Sequence, residues 1–259
     1  MKIPIYQVDA FTDKLFGGNP AAVCPLEEWL PGAMMQAIAE ENNLSETAFF
    51  VRKGDAFELR WFTPKIEIFL AGHPTLAAAH VIYEHLDYTG PQISFLTKSG
   101  ELRVKKRNGL LLMDFPGFDP APSDCPEALV KGLGKEPRET LKGRDFFAVF
   151  DSEAEVLAIR PDFAELEKLD GLGVIVTAKG DGCDFVSRFF APRAGILEDP
   201  VTGSAHTLLI PFWAKRLNKN VLHAFQVSRR RGEIFCENRG KRVQISGQAV
   251  TYMTGMIEV

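Results

Sequence analysis

The amino-acid sequence predicts an α+β chain built from two similar halves, and three observations predict it. Arg60-Trp61-Phe62-Thr63-Pro64-Lys65 recurs as Arg188-Phe189-Phe190-Ala191-Pro192-Arg193, 188 − 60 = 128 residues later in a chain of 259. Short runs rich in Val, Ile and Phe, bounded by glycine or polar residues, alternate along the whole length as strands do. A few longer segments carry helix-start signals and helical spacing. Around the repeated motif, Lys53-Gly54-Asp55 is matched by Lys179-Gly180-Asp181, and each copy then reaches a glycine, a polar residue and a helical run, at Gly72-His73 and Gly203-Ser204. Three features recurring in one order favour duplication over chance likeness of two Phe-rich strands. Duplication predicts two pseudo-symmetric lobes with the repeated loops at the seam between them, a place to enclose a small substrate.

The strands are expected at residues 5–8, 47–51, 57–62, 93–97, 110–114, 145–149, 174–177, 184–190, 224–227, 233–237, 242–246 and 249–257. Helices are expected over 31–41, over 74–85 with Pro74 at the first helical position, over 162–169 after Pro161, and over 205–217 after Ser204 as N-cap. Pro211 should kink or shorten the last. Gly17-Gly18-Asn19-Pro20 reads as a turn. Phe115-Pro116-Gly117-Phe118-Asp119-Pro120-Ala121-Pro122 reads as a linker, because its prolines and glycine continue neither a ladder nor a helix. The first lobe is then residues 1–115, with a strand near 250–259 returning to it, and the second is 122–249, with 115–122 between them.

A net charge of −4 argues against a nucleic-acid surface, which needs a basic stripe. The runs Arg229-Arg230-Arg231 and Lys105-Lys106-Arg107 read as a solvated turn and a hairpin tip. No stretch has the length of a membrane-spanning helix, and the N-terminus reads as a strand, not a signal peptide. Cys24, Cys125, Cys183 and Cys236 are scattered, so neither a disulfide framework nor a metal cluster is expected, and a reducing cytoplasmic location follows.

Three places could carry chemistry. At Gly72-His73-Pro74 a helix begins, and the free N–H groups of its first turn suit a carboxylate or phosphate. His73 at that mouth can pass a proton near neutral pH. Glu198-Asp199-Pro200-Val201-Thr202-Gly203-Ser204 leads into a helix in the second copy, so that two opposed helix starts would grip a carboxylate from both sides. Glu46 stands before an apolar strand. Aligning the Lys-Gly-Asp motifs (181 − 55 = 126) puts Leu172 opposite it, so the carboxylate has no counterpart in the duplicate. A carboxylate among apolar side chains is a candidate general acid/base. Asn19 could hydrogen-bond a substrate carboxylate or simply shape its turn.

The combination Phe16-Gly17-Gly18-Asn19-Pro20, Leu44-Ser45-Glu46-Thr47-Ala48-Phe49, Gly72-His73-Pro74-Thr75 and Glu198-Asp199-Pro200-Val201-Thr202-Gly203-Ser204-Ala205-His206 resembles the PhzF-like family, named for a phenazine-biosynthesis isomerase, over essentially the whole chain. The resemblance implies a diaminopimelate-epimerase-like fold, in which each lobe is a curved, mostly antiparallel, barrel-like sheet wrapped round a central helix. It implies that Glu46 is the catalytic acid/base, with His73, Asp199 and Ser204 around it, that no metal or organic cofactor is used, and that the protein is a homodimer. The wider superfamily carries a cysteine just before the glycine of each half; here those places hold Ala71 and Thr202, which excludes a two-thiol mechanism.

The reading that follows is a cofactor-independent isomerase that moves a proton on a small carboxylate substrate in the cleft between two lobes. Glu46, His73 and Asp199 would carry the proton, and Asn19, Gly72, Gly203 and Ser204 would bind the substrate. Two alternatives stand beside it: an amino-acid racemase or epimerase in which Asp199 or His73 delivers the proton from the opposite face, and a catalytically silent small-molecule or protein-binding module.

Overall fold

The computed structural model describes residues 1–259. The chain forms two compact units, residues 1–115 with 245–259, and residues 116–244. The first unit contains β1 (Lys2–Ala10), β2 (Asn19–Leu26), α1 (Gly32–Asn42), β3 (Glu46–Lys53), β4 (Ala56–Phe62), β5 (Glu67–Ile68), α2 (His73–His85), β6 (Gln92–Thr97), β7 (Gly100–Arg107) and β8 (Leu110–Pro116). The second contains β9 (Ala121–Pro122), α3 (Glu127–Leu133), β10 (Glu139–Lys142), β11 (Phe146–Val149), α4 (Glu153–Ala158), α5 (Phe163–Leu166), β12 (Val174–Lys179), β13 (Phe185–Ala191), β14 (Ile196–Asp199), α6 (Gly203–Leu217), β15 (Val221–Gln226) and β16 (Gly232–Asn238). Within β17 (Arg242–Gly247) the chain passes back to the first unit, which β18 (Ala249–Glu258) completes beside β1.

Strand pairing shows the duplication directly. In the first unit β1–β2 is antiparallel, β2–β3 parallel, β3–β4 antiparallel, β4–β6 parallel and β6–β7 antiparallel. In the second, β10–β11, β11–β12, β12–β13, β13–β15 and β15–β16 repeat that order of types. Each parallel pair is bridged by helix, as a parallel connection requires. The crossover helices α2 and α6 are buried on nearly every side: Leu76 to Ala79, Val81 and Ile82 in α2, and Ala205 to Pro211 in α6. A helix apolar all round belongs in a core. α2 packs against β1, β2, β3 and β18, and α6 against β15 and β16.

The repeated arginine has one task in both copies. Arg60 on β4 grips Glu67 of β5 through Nε and Nη2 at 2.8 and 2.9 Å and lies over Phe62. Arg188 on β13 grips Glu198 of β14 through the same two nitrogens at 2.7 and 3.1 Å, lies over Phe190, and donates its Nη1 to the carbonyls of Val156 and Ile159. Each pair holds the short strand that feeds its central helix.

Several elements differ from expectation. β2 was not among the expected strands, and the turn expected at 17–20 runs into it; Pro20 and Pro25 sit near its ends, where the ladder tolerates them. β7 is mostly exposed and charged, so no apolar alternation marks it. β10, α3 and α4 are short and were also unexpected. The 162–169 helix is only α5, capped by Asp162, whose side chain accepts from the Ala164 and Glu165 amides. Pro122 in the expected linker pairs with Leu141 as part of edge strand β9. α6 runs unbroken through Pro211. Proline deprives the carbonyl four residues back of its donor, and here the Phe118 amide supplies one to Thr207 at 3.0 Å. Asn108 and Gly109, both at positive φ, make the β7–β8 hairpin tip as expected. No helix is long and apolar enough to cross a membrane.

The two arginine clamps differ in burial, with side-chain exposures of 10% for Arg188 and 24% for Arg60. Arg188→Ala should therefore destabilise the protein by about 3–5 kcal/mol, because it removes a buried guanidinium and leaves the buried Val156 and Ile159 carbonyls without its donor, and Arg60→Ala by about 1.5–3 kcal/mol. Urea unfolding of the two variants against the parent measures both.

Candidate active site

In the first unit the loop from β1 to β2 sets the geometry. Asp9, nearly buried, accepts the Phe16 amide at 2.8 Å and holds that residue at φ 69. Gly18 follows at φ +59, and a Cβ there would lie 2.0 Å from the Ala10 carbonyl oxygen, so only glycine fits. The chain then enters β2 at Asn19, which is fully buried. Its Nδ2 donates to His73 Nδ1 at 3.1 Å. An imidazole nitrogen that accepts carries no proton, so the neutral ring of His73 bears its hydrogen on Nε2.

His73 is the first residue of α2, behind Gly72 as N-cap and before Pro74. Its Nε2 lies 3.0 Å from Glu46 Oε2. Glu46 is the first residue of β3, opposite Ala21 of β2, and is 8% exposed. Parallel pairing of β2 with β3, and the docking of α2 on both, bring the three side chains together. The Glu46–His73 approach is close but not aligned as a hydrogen bond, so Glu46 Oε2 keeps a lone pair for another proton donor.

The uniqueness of Glu46 is firmer than the sequence alignment suggested, and its partner position differs. Thr47 pairs with Phe62, and Val174 with Phe190, so the residue equivalent to Glu46 is Gly173, not Leu172. A Cβ at Gly173 would stand 2.4 Å from Phe189 Cζ and 2.8 Å from the Phe190 carbonyl oxygen. No side chain fits there.

In the second unit Asp199 ends β14, 8% exposed, with Phe189 opposite. Thr202 Oγ1 donates to Asp199 Oδ2 at 2.5 Å. Gln226, fully buried at the end of β15, ties the turn together: its Nε2 donates to the Asp199 carbonyl and to Thr202 Oγ1, and its Oε1 accepts the Thr202 amide. Ser204 is not the N-cap. α6 starts at Gly203 with Thr202 as cap residue, and Ser204 Oγ instead accepts from Arg144 Nη2 at 3.0 Å. The helix starts correspond. Thr75 Oγ1 donates to the Ala71 carbonyl, His206 Nδ1 to that of Thr202, each four residues back, so Gly72 matches Gly203 and His73 matches Ser204.

The structure thus gathers Asn19, Glu46, Gly72 and His73 in the first unit, and Asp199, Gly203 and Ser204 in the second. Sequence reasoning passed over Thr202, Gln226, Arg144 and Asp145. A lone glutamine closing an apolar strand was the available signal for Gln226. Ala71 and Thr202 stand where a two-thiol mechanism needs cysteines; buried Cys24 lies elsewhere, its thiol pushed up to about 12 by desolvation. No group of three or more His, Cys, Asp and Glu side chains is arranged to hold a metal ion.

The pattern of the PhzC-PhzF family, described as phenazine biosynthesis-like protein, matches residues 8–255. The chain belongs to this family. A Pseudomonas aeruginosa member, called an uncharacterized isomerase, is 51% identical over the full length of both chains. A crystal structure of a PhzF-family protein from Enterococcus faecalis covers both chains completely, with 48% identity and a TM-score of 0.98. A hydroxyproline epimerase from Agrobacterium vitis shares the fold, with a TM-score of 0.62 at 10% identity over 99% of this chain and 92% of its own. In this PhzF-family chain the structural α+β expectation holds, and each unit is a mostly antiparallel sheet around one buried helix.

His206 gives the site a pH signature. Full burial holds its imidazole down at about 4, from an ordinary 6.5. The unfolded chain takes up this proton as pH falls through 6.5, and the folded chain does so only near 4. Stability is therefore complete above pH 6.5 and declines between 6.5 and 4, by up to roughly 3 kcal/mol. His206→Asn, which keeps a donor for the Thr202 carbonyl, should flatten that part of a stability-against-pH curve from chemical denaturation.

Proposed function

We propose that this protein is an isomerase that moves a proton on carbon in a small carboxylate substrate, with Glu46 taking and returning the proton. The observation that carries the reading is the buried series Glu46–His73–Asn19, in which the amide fixes the imidazole tautomer and the imidazole N–H faces the carboxylate. A base must be dry, positioned and left with a free lone pair, and Glu46 meets all three conditions. The relatives named as isomerases support the reaction class.

In the first unit the first turn of α2 supplies N–H groups suited to a substrate carboxylate and to the charge that develops on it when the neighbouring carbon loses its proton, and in the second unit the first turn of α6 has the same character. Gly72 and Gly203 sit at those turns, and Ser204 adds a hydroxyl. Asp199, held by Thr202, is the second carboxylate available for proton transfer. His73 presents its Nε2 toward Glu46 at 3.0 Å.

The test is exchange of carbon-bound hydrogen in heavy water across a panel of small amino and hydroxy carboxylates, followed by NMR. Glu46→Gln should slow exchange by about 10²–10⁴-fold while thermal unfolding stays close to the parent. Asn19→Leu, which releases the His73 ring, should slow it by about 10². Normal exchange in the Glu46→Gln variant would remove Glu46 as the base.

A further inference from the structure

We propose that Thr202 is a positioning residue for Asp199, its hydroxyl turned by Gln226 into an obligate donor that keeps the Asp199 carboxylate ready to accept a proton. The isomerase reading enters only in what that carboxylate then does to a substrate.

Thr202 is the cap residue of α6, and a threonine there ordinarily accepts an amide of the first turn with its side-chain oxygen. Here it makes no such bond. Its equivalent in the first unit is Ala71, which has no hydroxyl, and α2 starts without one. The helix start therefore does not explain the hydroxyl. Gln226 is equally particular to its unit. The equivalent residues Phe57 and Phe185 pair with Phe95 on β6 and Ala224 on β15, which makes Thr97 the counterpart of Gln226. Thr97 bonds Gly100 within its own hairpin.

Two backbone groups fix which way the hydroxyl points. The Thr202 amide can only donate and the Asp199 carbonyl can only accept. Gln226 must meet the first with its oxygen, at 2.8 Å, and the second with its nitrogen, at 2.7 Å, so its amide has one possible orientation. The nitrogen's other hydrogen is then directed at Thr202 Oγ1, at 3.1 Å. That oxygen already accepts, so its own proton goes to Asp199 Oδ2, at 2.5 Å. A hydroxyl bound to an ionised carboxylate lies at about 2.5–2.7 Å. All three side chains are buried, which leaves water little chance to take either end of the series. The β15–β16 turn braces the same loop. Ser228 Oγ donates to the Pro200 carbonyl at 2.9 Å, and a Cβ at Gly232 would lie 2.2 Å from Val201 Cγ2.

A donor aimed at a carboxylate favours its charged form. An acid that delivers a proton to a substrate must first carry one. The series Gln226, Thr202, Asp199 opposes that, so it counts against the racemase alternative in which Asp199 delivers the proton, and gives Asp199 the acceptor's part. Of its charged neighbours, Glu198 is tied to Arg188, Asp145 to Arg144, and His206 donates to the Thr202 carbonyl.

The full-length protein, labelled with 13C at its aspartate side-chain carboxyls, reports Asp199 by NMR, the signal being the one lost in Asp199→Asn. Thr202→Val keeps the shape of the side chain and removes the hydroxyl. In that variant the Asp199 carboxyl should take up its proton at a pH about one unit higher, a tenfold change in its dissociation constant, and Thr202→Ser should titrate with the parent. Repeating the series in His206→Asn separates Asp199 from the proton that His206 takes up at about 4. In the parent, with no substitution at the turn, the Thr202 hydroxyl proton should shift through the same midpoint as the Asp199 carboxyl. A folded Thr202→Val that titrates with the parent overturns the assignment. So does a Thr202→Ser that moves as far as Thr202→Val, or a Thr202 hydroxyl signal that stays fixed while Asp199 titrates. A carboxylate panel that shows no carbon–hydrogen exchange would sink the isomerase reading and leave this titration unchanged.

Discussion

A helix buried on every side can offer chemistry only at its ends. α2 and α6 fill the cores of their units, and their sides are closed by apolar contacts. Their first turns remain, with amides that have no acceptor within the helix and a partial positive charge. Every candidate site residue is placed by that constraint. Gly72 and Gly203 lie at the helix starts, His73 and Ser204 just inside them. Asn19, Glu46, Asp199 and Arg144 come from strand ends or turns that reach the same two places. The arginine clamps Arg60–Glu67 and Arg188–Glu198 serve this arrangement because they fix the short strands from which each helix is entered.

Duplication gave two equivalent scaffolds that differ in the side chains around their helix starts. Where one has Glu46, the other has Gly173, closed off by Phe189 and by a backbone carbonyl. Where one has an imidazole at the helix start, the other has a hydroxyl. Where one has a neutral amide beside it, the other has a guanidinium. The second unit has its own acidic group, Asp199, tied to Thr202 and Gln226.

The fold was legible in the sequence where periodicity and turn chemistry were strong. The repeated Arg-x-Phe motif, the central helices and the longer strands all stand out because apolar spacing marks them. What stayed hidden has physical reasons. β2 contains two prolines yet sits between two partners. β7 is too exposed to alternate. The unbroken α6 depends on the Phe118 amide, ninety-odd residues from Pro211, and no local rule anticipates such a donor. Among site residues, Glu46 and His73 were marked by position before a strand and at a helix start. Gln226 and Arg144 were not, because their roles arise from contacts across the fold: 24 residues to Thr202 in one case, 60 to Ser204 in the other.

The Asn19 amide explains why a histidine is useful beside Glu46. An imidazole free to choose its tautomer could present either a lone pair or an N–H to the carboxylate, and the two have opposite electrostatic effects. Donation from Asn19 Nδ2 to Nδ1 removes the choice, so the neutral ring always shows Glu46 a donor. A carboxylate facing a donor at 3.0 Å is favoured electrostatically without being neutralised by a permanent cation. That matters under the proposal that Glu46 is a base which accepts a proton and then releases it. A lysine or arginine at position 73 would stabilise the charged carboxylate too firmly for it to take the proton up. A hydroxyl, as Ser204 provides in the other copy, could turn either way. Asparagine, histidine and glutamate in that order are therefore a directional set, and the glycine at 18, which no other residue can replace at that φ and that distance from Ala10, is what allows the first of them to be delivered.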